Sequence, residues 1–183
     1  DETPVCVEGY QAPIKSIGNS TTTPRDLVND LDVKIILMAL SESVASRLRE
    51  NGFQCKVIEI SIRDNELYHF SRQCKLKRPT NITDEIVQAA YRLFKDNYRW
   101  EHPIRSLGVR GCDLVSDDMP YQLDLFMSEQ KREKLEKMDQ VVDEIRARFG
   151  YQSIQRAFVY QDKILAQLNA REHTVHPQGY FHG

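Results

Sequence analysis

Two kinds of apolar pattern alternate along the first two thirds of the chain. In residues 33–48 and 87–98, apolar side chains recur every three or four positions, which is the spacing of one face of an amphipathic helix. Residues 53–62 instead alternate apolar with polar side chains, which is typical of a half-buried strand. Strands are predicted at residues 14–23, 53–62, 67–76 and 104–115, with a turn at 63–66.

Local signals set the ends of several of these elements. Pro24 ends the first predicted strand, and the first helix runs from Asp30 to the stop signal Asn51-Gly52. Thr83 is the predicted N-cap of the second helix. The resulting order of elements is β-α-β-β-α-β.

This order predicts an α+β domain in which both helices cover one face of a four-stranded antiparallel sheet. The other face is then open to solvent. Small or basic residues are expected there: Ser16, Gly18 and Ser20 on the first strand, and Ser106, Gly108 and Arg110 on the last. Small residues let another backbone approach closely, although they are equally compatible with an ordinary solvent-facing surface.

A third helix is predicted from residue 128 to Gly150, within a helical C-terminal extension of residues 128–183. Its apolar residues are spaced three or four apart: Leu135, Met138, Val142, Ile145 and Phe149. This apolar stripe either pairs with another chain or packs within its own chain on the tail, and packing on the tail is favoured. A further short helix is expected from Ser153.

Composition is that of a globular protein, with 40% hydrophobic and 28% charged residues among 183 and no apolar run long enough to cross a membrane. Residues 1–13 lack the features of a signal peptide and are interpreted as a linker inside a longer chain. The cysteines have no C-x-x-C spacing, so reduced thiols are expected rather than disulfides or zinc ligands: Cys6, Cys55, Cys74 and Cys112. His173 and His176 have no third ligand at a suitable spacing, so no metal site is predicted.

The net charge of −2 conceals a basic segment at residues 56–110. Its densest part contains Arg72, Lys75, Lys77 and Arg78 within seven residues. Such a segment indicates phosphate binding only weakly, since a solvated strand end has the same composition.

Four segments together resemble the little-finger domain of the Y-family translesion DNA polymerases. They are KSIGNSTT from Lys15, LSESVASRLRENG from Leu40, IEISIRD from Ile58 and SLGVRGCDLV from Ser106. The resemblance covers residues 15–118. The long segment after residue 126 is more similar to the UV-mutagenesis branch, the ImpB/MucB/SamB proteins, than to DNA polymerase IV-like members whose clamp motif lies at the C-terminus.

The resemblance implies that residues 14–118 bind duplex primer-template DNA through its backbone, without reading sequence. The implied contacts are Lys15, Ser16, Gly18, Asn19, Ser20, Thr21, Arg63, Lys75, Arg105 and Arg110. No catalytic residue or cofactor is expected in this chain, because the family's Mg²⁺-binding carboxylates belong to an upstream palm domain. The resemblance also implies a monomeric bacterial protein of the cytoplasm and nucleoid that acts in DNA repair and the SOS response.

The segment YQLDLF at residues 121–126 exposes apolar side chains after the acidic SDDMP. It is similar to the peptide with which bacterial polymerases bind the sliding clamp, and residues 119–127 are therefore interpreted as a clamp-binding linker. The implied contacts are Gln122, Leu123, Asp124, Leu125 and Phe126. The alternative is that Leu123 and Phe126 fasten the segment to its own domain.

Two other functions remain open. The same β-α-β-β-α-β order occurs in RRM-like RNA-binding modules, which stack bases on aromatic residues of the central strands. Tyr68 and Phe70, however, share the parity expected of the core side of the third strand. The second alternative is a protein-interaction domain built on the third predicted helix.

Overall fold

The computed structural model describes residues 14–118 and 129–168. The linker at 1–13, the segment at 121–126, and His173 and His176 lie outside the described residues. The first part contains six elements in the predicted order: β1 (Ser16–Leu27), α1 (Asp30–Glu50), β2 (Phe53–Asp64), β3 (His69–Thr80), α2 (Thr83–Asn97) and β4 (Ile104–Ser116). The predicted α+β fold is therefore confirmed.

The four strands form one antiparallel sheet in the order β1-β4-β2-β3, so that β1 and β3 are its edges. Helices α1 and α2 pack on one face. The core between the helices and the sheet is apolar. On the sheet it is formed by Ile58, Ile60 and Ile62 of β2 and by Leu107 and Val109 of β4. Since side chains alternate along a strand, every second residue of these strands points to the opposite, open face.

The ends of α1 agree with the sequence signals. Asn29 is the N-cap, and its side chain accepts a hydrogen bond from the Asp32 N–H at 2.9 Å. At the other end Gly52 has φ +66°, a left-handed conformation that glycine adopts without a steric penalty. Its carbonyl accepts the N–H of Asp117 at 3.0 Å, which ties the end of the sheet to the end of the helix.

Both edge strands are displaced from their predicted bounds. β1 continues through Pro24 to Leu27, with an irregular register between Thr22 and Leu27. Proline is tolerated there because an edge strand needs no N–H on its outer side. The turn before β3 is longer than predicted and includes Leu67 at φ +71°, so the strand begins only at His69.

The N-terminus of α2 is stabilised by another helix rather than by its own cap. Ile82 occupies the N-cap position, and Thr83, the predicted cap, is already the first helical residue. The Thr83 N–H donates a hydrogen bond to the Asp139 carboxylate at 2.7 Å. Asp139 belongs to another helix, 56 residues further along the chain. A carboxylate at a helix N-terminus satisfies a free N–H and interacts favourably with the helix dipole.

Residues 129–168 form a third layer on the outer side of α1 and α2. They comprise α3 (Glu129–Phe149) and three 3-10 turns, Tyr151–Ser153, Ala157–Gln161 and Leu165–Gln167, in place of the short helix expected from Ser153. Val159, Leu165 and Ala166 are buried in the main core. Because the extension covers the outer side of α1 and the sheet covers its inner side, α1 has buried residues all around, including the polar Ser41 and Glu42.

The face with which α3 contacts the domain is charged rather than apolar. Its buried residues are Arg132, Asp139 and Arg146, spaced seven apart. The predicted apolar stripe lies to one side of this line, and Phe149 at its end is 74% exposed. The favoured expectation that the stripe packs within the chain is therefore corrected in part: α3 does pack intramolecularly, but through ion pairs.

Candidate nucleic-acid interface

The open face of the sheet combines hydroxyl groups, glycines and a few basic side chains. The strand registers place opposite one another the residues that share this face. They are Ser16, Gly18, Ser20 and Thr22 of β1; Ser106, Gly108, Arg110 and Cys112 of β4; Val57, Glu59, Ser61 and Arg63 of β2; and His69, Ser71, Gln73 and Lys75 of β3. Within residues 14–118 and 129–168, no element packs on this face.

Two glycines keep the middle of the open face flat. A Cβ at Gly108 would lie 2.3 Å from Ser61 Oγ and 3.1 Å from Ser20 Cβ. A Cβ at Gly18 would lie 3.0 Å from both Cβ and Cγ of Arg110. Any side chain at Gly108 would therefore displace its neighbours, and the absence of one at Gly18 lets the Arg110 side chain lie against β1.

Two adjoining depressions, of about 360 and 560 Å³, follow this flat strip. Ser20, Ser61 and His69 line both of them. Hydroxyl groups donate hydrogen bonds without carrying charge, and a shallow, polar surface suits an extended phosphate backbone better than a small apolar ligand.

The basic residues of the face have few partners in the protein. Arg63 Nη2 donates a 3.4 Å hydrogen bond to Thr22 Oγ1, while its buried Nε has no hydrogen-bond partner among the described residues. Arg110 lies 3.7 Å from Glu59 and is 55% exposed. Lys75, opposite Val57 in the register, is exposed and forms no ion pair with any described residue. These cations are available to an external anion.

The comparisons with known proteins identify the family. A sequence model described as the impB/mucB/samB family C-terminal domain matches residues 14–125. The chain belongs to this family. The resemblance to Y-family polymerases inferred from the four sequence segments is thereby confirmed.

Curated relatives of this chain are DNA polymerases IV. One from Acetivibrio thermocellus is 46% identical over 168 residues, which cover 92% of this chain and 42% of that protein. DNA polymerase IV 2 of Bacillus subtilis is 38% identical over 147 residues, which cover 78% of this chain and 34% of that protein. The chain thus spans about two fifths of the length of the relatives it matches.

One solved structure with a similar fold is entitled "Post-insertion binary complex of Dbh DNA polymerase". Its TM-score is 0.48 at 17% identity, and the match covers 58% of this chain and 32% of that chain.

Most of the residues that the family resemblance implied lie together on the open face. Six of the ten are among those given above: Ser16, Gly18, Ser20, Arg63, Lys75 and Arg110. Lys15 immediately precedes β1 and is exposed. Their role in binding DNA stays a prediction, but the side chains do form one surface.

The side chains of the other three residues lie outside this row, although Asn19 and Thr21 still line the two depressions. Asn19 and Thr21 are buried toward the helices, and Asn19 Nδ2 donates to Ser43 Oγ at 3.1 Å. Side chains alternate along β1, so those of Asn19 and Thr21 point to the face opposite to that of Ser16, Gly18 and Ser20. Arg105 lies where the β2–β4 register shifts and pairs with Asp26 at 3.4 Å, outside the row of open-face residues.

Ser61, His69 and Ser71 were missed by the sequence reasoning, although they line the depressions. Ser61 lies directly opposite both Gly108 and Ser71. The only sequence signal for these residues is their alternation with the apolar residues of β2 and β3. That alternation identifies a face, but the register is needed to show which residues meet.

The phenyl ring of β3 lies on the helix side of the strand. Phe70 is opposite Ile62 and contacts the core, and Arg72 lies over the Phe70 ring at 5.1 Å. Among the described open-face residues the one aromatic ring is the His69 imidazole on edge strand β3, and the central strands β2 and β4 present no Phe, Tyr or Trp there on which a base could stack. This argues against the RRM-like alternative, whose binding depends on such aromatics.

The part of the chain that the structure describes contains no cluster of three or more His, Cys, Asp or Glu residues that could hold a metal ion. Cys55, Cys74 and Cys112 are free thiols. Burial raises the pKa of Cys55 to about 12, which makes it an unreactive core residue. None of the helices in residues 14–118 and 129–168 combines the length and the apolar character of a membrane span.

Proposed function

We propose that residues 14–118 bind duplex DNA through the open face of the sheet, as the little-finger domain of a translesion DNA polymerase. The observation that carries this proposal is the uncovered strip of glycines and hydroxyl groups bounded by Arg63, Lys75 and Arg110. Phosphates would contact these cations and the serine hydroxyls. Such contacts position a duplex without reading its sequence, as a polymerase that copies damaged templates requires.

Fluorescence anisotropy with the 183-residue chain and labelled primer-template duplexes tests this proposal. Binding should be equal for unrelated sequences and should weaken steeply with salt, because phosphate contacts release counterions. The variants Arg63→Gln and Lys75→Gln should each weaken binding and reduce the magnitude of the salt slope by about 0.9. Arg92→Gln, an equal charge change on the exposed surface of α2, is the matched control.

If Arg92→Gln weakened DNA binding as much as Lys75→Gln, the binding would depend on net charge and not on the open face. Affinity independent of salt would contradict the proposal directly. The melting temperature of each variant, followed by circular dichroism, separates lost contacts from lost structure.

We further propose that the parent chain is a monomeric bacterial DNA polymerase of the cytoplasm and nucleoid, which acts in translesion synthesis during the SOS response. Support comes from the DNA polymerase IV relatives, which extend well beyond this chain. The catalytic carboxylates and their Mg²⁺ would lie in that additional part. The chain itself should then extend no primer with Mg²⁺ present, and primer extension by pure protein would contradict this assignment.

The sliding clamp is the proposed partner of Gln122, Leu123, Asp124, Leu125 and Phe126. The described chain on either side is held in place. Asp117 N–H donates to the Gly52 carbonyl at 3.0 Å, and Glu129 pairs with Arg78 at 2.6 Å. The clamp-binding proposal rests on the resemblance of the motif and on its position after the little finger.

Leu125→Ala combined with Phe126→Ala should abolish binding to a purified bacterial clamp, because apolar anchors dominate such contacts. DNA affinity and melting temperature should be almost unchanged. Asp118→Ala, at an exposed position before the motif, is the control and should retain the binding. A sharp loss of thermal stability in the double variant would instead identify these side chains as core.

A further inference from the structure

The open face carries one carboxylate among its described residues, that of Glu59. It lies near the middle of the sheet, opposite Arg110 on β4 and opposite Gln73 on β3. Its Oε1 is 3.7 Å from Arg110 Nη1, and its side chain is 26% exposed. A negative charge at the centre of a phosphate-binding surface opposes the binding of DNA, so its position needs an explanation.

Arg110 is held from both sides. Its Cβ and Cγ lie against the space that a Cβ at Gly18 would fill, at 3.0 Å from that position. Its guanidinium meets the Glu59 carboxylate on the other side. Because Gly18 has no side chain, the Arg110 side chain can lie low over β1, with Nε 3.2 Å from the position of a Cβ at Gly18 and Nη1 3.7 Å from Glu59 Oε1.

The field of Glu59 also extends along the same face. Burial raises the pKa of the Cys112 thiol, and the Glu59 carboxylate raises it further, whereas Arg110 opposes this effect. Both charges therefore act on the part of the open face next to Ser16, which is opposite Cys112 in the register.

We propose that Glu59 lowers the affinity of the open face for DNA by holding Arg110 against the sheet. This proposal rests on the proposed DNA binding and adds a regulating residue to the same site. A phosphate that recruits Arg110 must first separate it from Glu59. Since the pair is long and half-exposed, the attraction to be overcome is small, and DNA can still displace it.

A cycle of four proteins tests the proposal: the unmodified 183-residue chain, Glu59→Gln, Arg110→Gln and the double variant. Glutamine keeps the shape of Glu59 but removes the charge. We expect Glu59→Gln to tighten binding to a labelled duplex by about twofold to fivefold at low salt, with a salt slope steeper by at most about 0.9. In the Arg110→Gln background the same substitution should change the affinity by less than about twofold.

Glu144→Gln is the matched control, because it removes one negative charge from an exposed position on α3. It should leave the affinity unchanged, and equal tightening by this variant would overturn the proposal in favour of a net-charge effect. Weaker or unaltered binding by Glu59→Gln would also overturn it. The same holds if the tightening persists undiminished without Arg110, since Glu59 would then act on phosphate directly.

Failure of the proposed DNA binding has a different signature. In that case the unmodified chain shows no salt-dependent affinity, and Arg63→Gln and Lys75→Gln have no effect. If those two variants do weaken binding while Glu59→Gln leaves it unaltered, the DNA-binding face stands and the inference about Glu59 is wrong.

Discussion

The two sides of this domain use arginine in opposite ways. On the helix side, Arg49, Arg132 and Arg146 have side chains 7–12% exposed, and each contacts a carboxylate of another element. On the open face, Arg110 is 55% exposed and forms one ion pair of 3.7 Å. Arginine is thus a structural residue where its donors are satisfied within the chain and a candidate ligand-binding residue where they are not.

The helix-side contact is organised around two buried carboxylates. Asp139 accepts from Thr83 N–H and pairs with both Arg49 and Arg156. Glu42 of α1 pairs with Arg146 and again with Arg156. Because each cation has a partner, the charges can be buried together, whereas the loss of a single partner would leave a buried charge uncompensated.

The largest expected effect comes from removing one of these carboxylates. Asp139→Ala should lower the free energy of unfolding by about 3 kcal/mol, because it removes a buried carboxylate that pairs with Arg49 and Arg156 and leaves the first N–H of α2 without its acceptor. Asp143→Ala, which removes the other carboxylate paired with Arg49 at a more exposed position, is the control and should cost less than about 1 kcal/mol. Urea unfolding followed by circular dichroism measures both.

DNA affinity should be the same for both of these variants, since neither residue faces the open side of the sheet. If Asp139→Ala weakened DNA binding while the protein stayed fully folded, the two sides would be coupled. The contrast between a structural and a binding side would then fail.

A substitution at the centre of the open face should affect both properties. Gly108→Ala places a Cβ 2.3 Å from Ser61 Oγ, so overpacking should cost about 2 kcal/mol of stability and weaken DNA binding. Adding Ser61→Ala removes the clashing hydroxyl and should restore part of the stability. If the double variant is no more stable than the single one, the close contact with Ser61 is not the cause.

The ion pairs around Arg25 predict a smaller, pH-dependent effect. Arg25 pairs with Asp32 of α1 and Asp162 of the extension. Burial would raise the pKa of Asp32, but Arg25 and the Val28 N–H outweigh burial and hold it below the ordinary value. The Arg25 hydrogen bond, followed by the Leu165 N–H, likewise lowers the pKa of Asp162.

For carboxylates with a lowered pKa in the folded protein, the stabilisation is complete above the unfolded value of about 3.9 and is lost as the pH falls further. Urea unfolding between pH 3 and pH 6 should therefore show a loss of stability below about pH 4. Asp32→Asn should be less stable at pH 6 and show a weaker dependence on pH. Equal pH dependence in both proteins would exclude this pair as a source.

The smallest effect is expected on the apolar stripe of α3. Phe149 is 74% exposed, so Phe149→Ala should change the free energy of unfolding by less than about 0.5 kcal/mol. Val159→Ala in the same extension, at a residue 8% exposed, is the comparison and should cost about 1 kcal/mol or more. A larger loss for Phe149 would show that the stripe is packed after all.

Much of the fold was determined by local sequence. Apolar spacing located α1, α2, β2 and β3, because the periods of a helix and of a strand follow from backbone geometry alone, and local composition located β1 and β4. Alternation also placed Gly18 and Arg110 on the open face, and the family resemblance added Arg63 and Lys75. Asn19 and Thr21 were included although their parity on β1 points them to the helices.

The tertiary structure decided what depended on contacts between distant segments. Periodicity located α3 but did not identify its most buried positions, since Arg132, Asp139 and Arg146 are buried because their partners lie on other elements. The cap of α2 likewise comes from 56 residues away along the chain. The pairing of Glu59 with Arg110 depended on strand register, which the spacing within each strand does not specify.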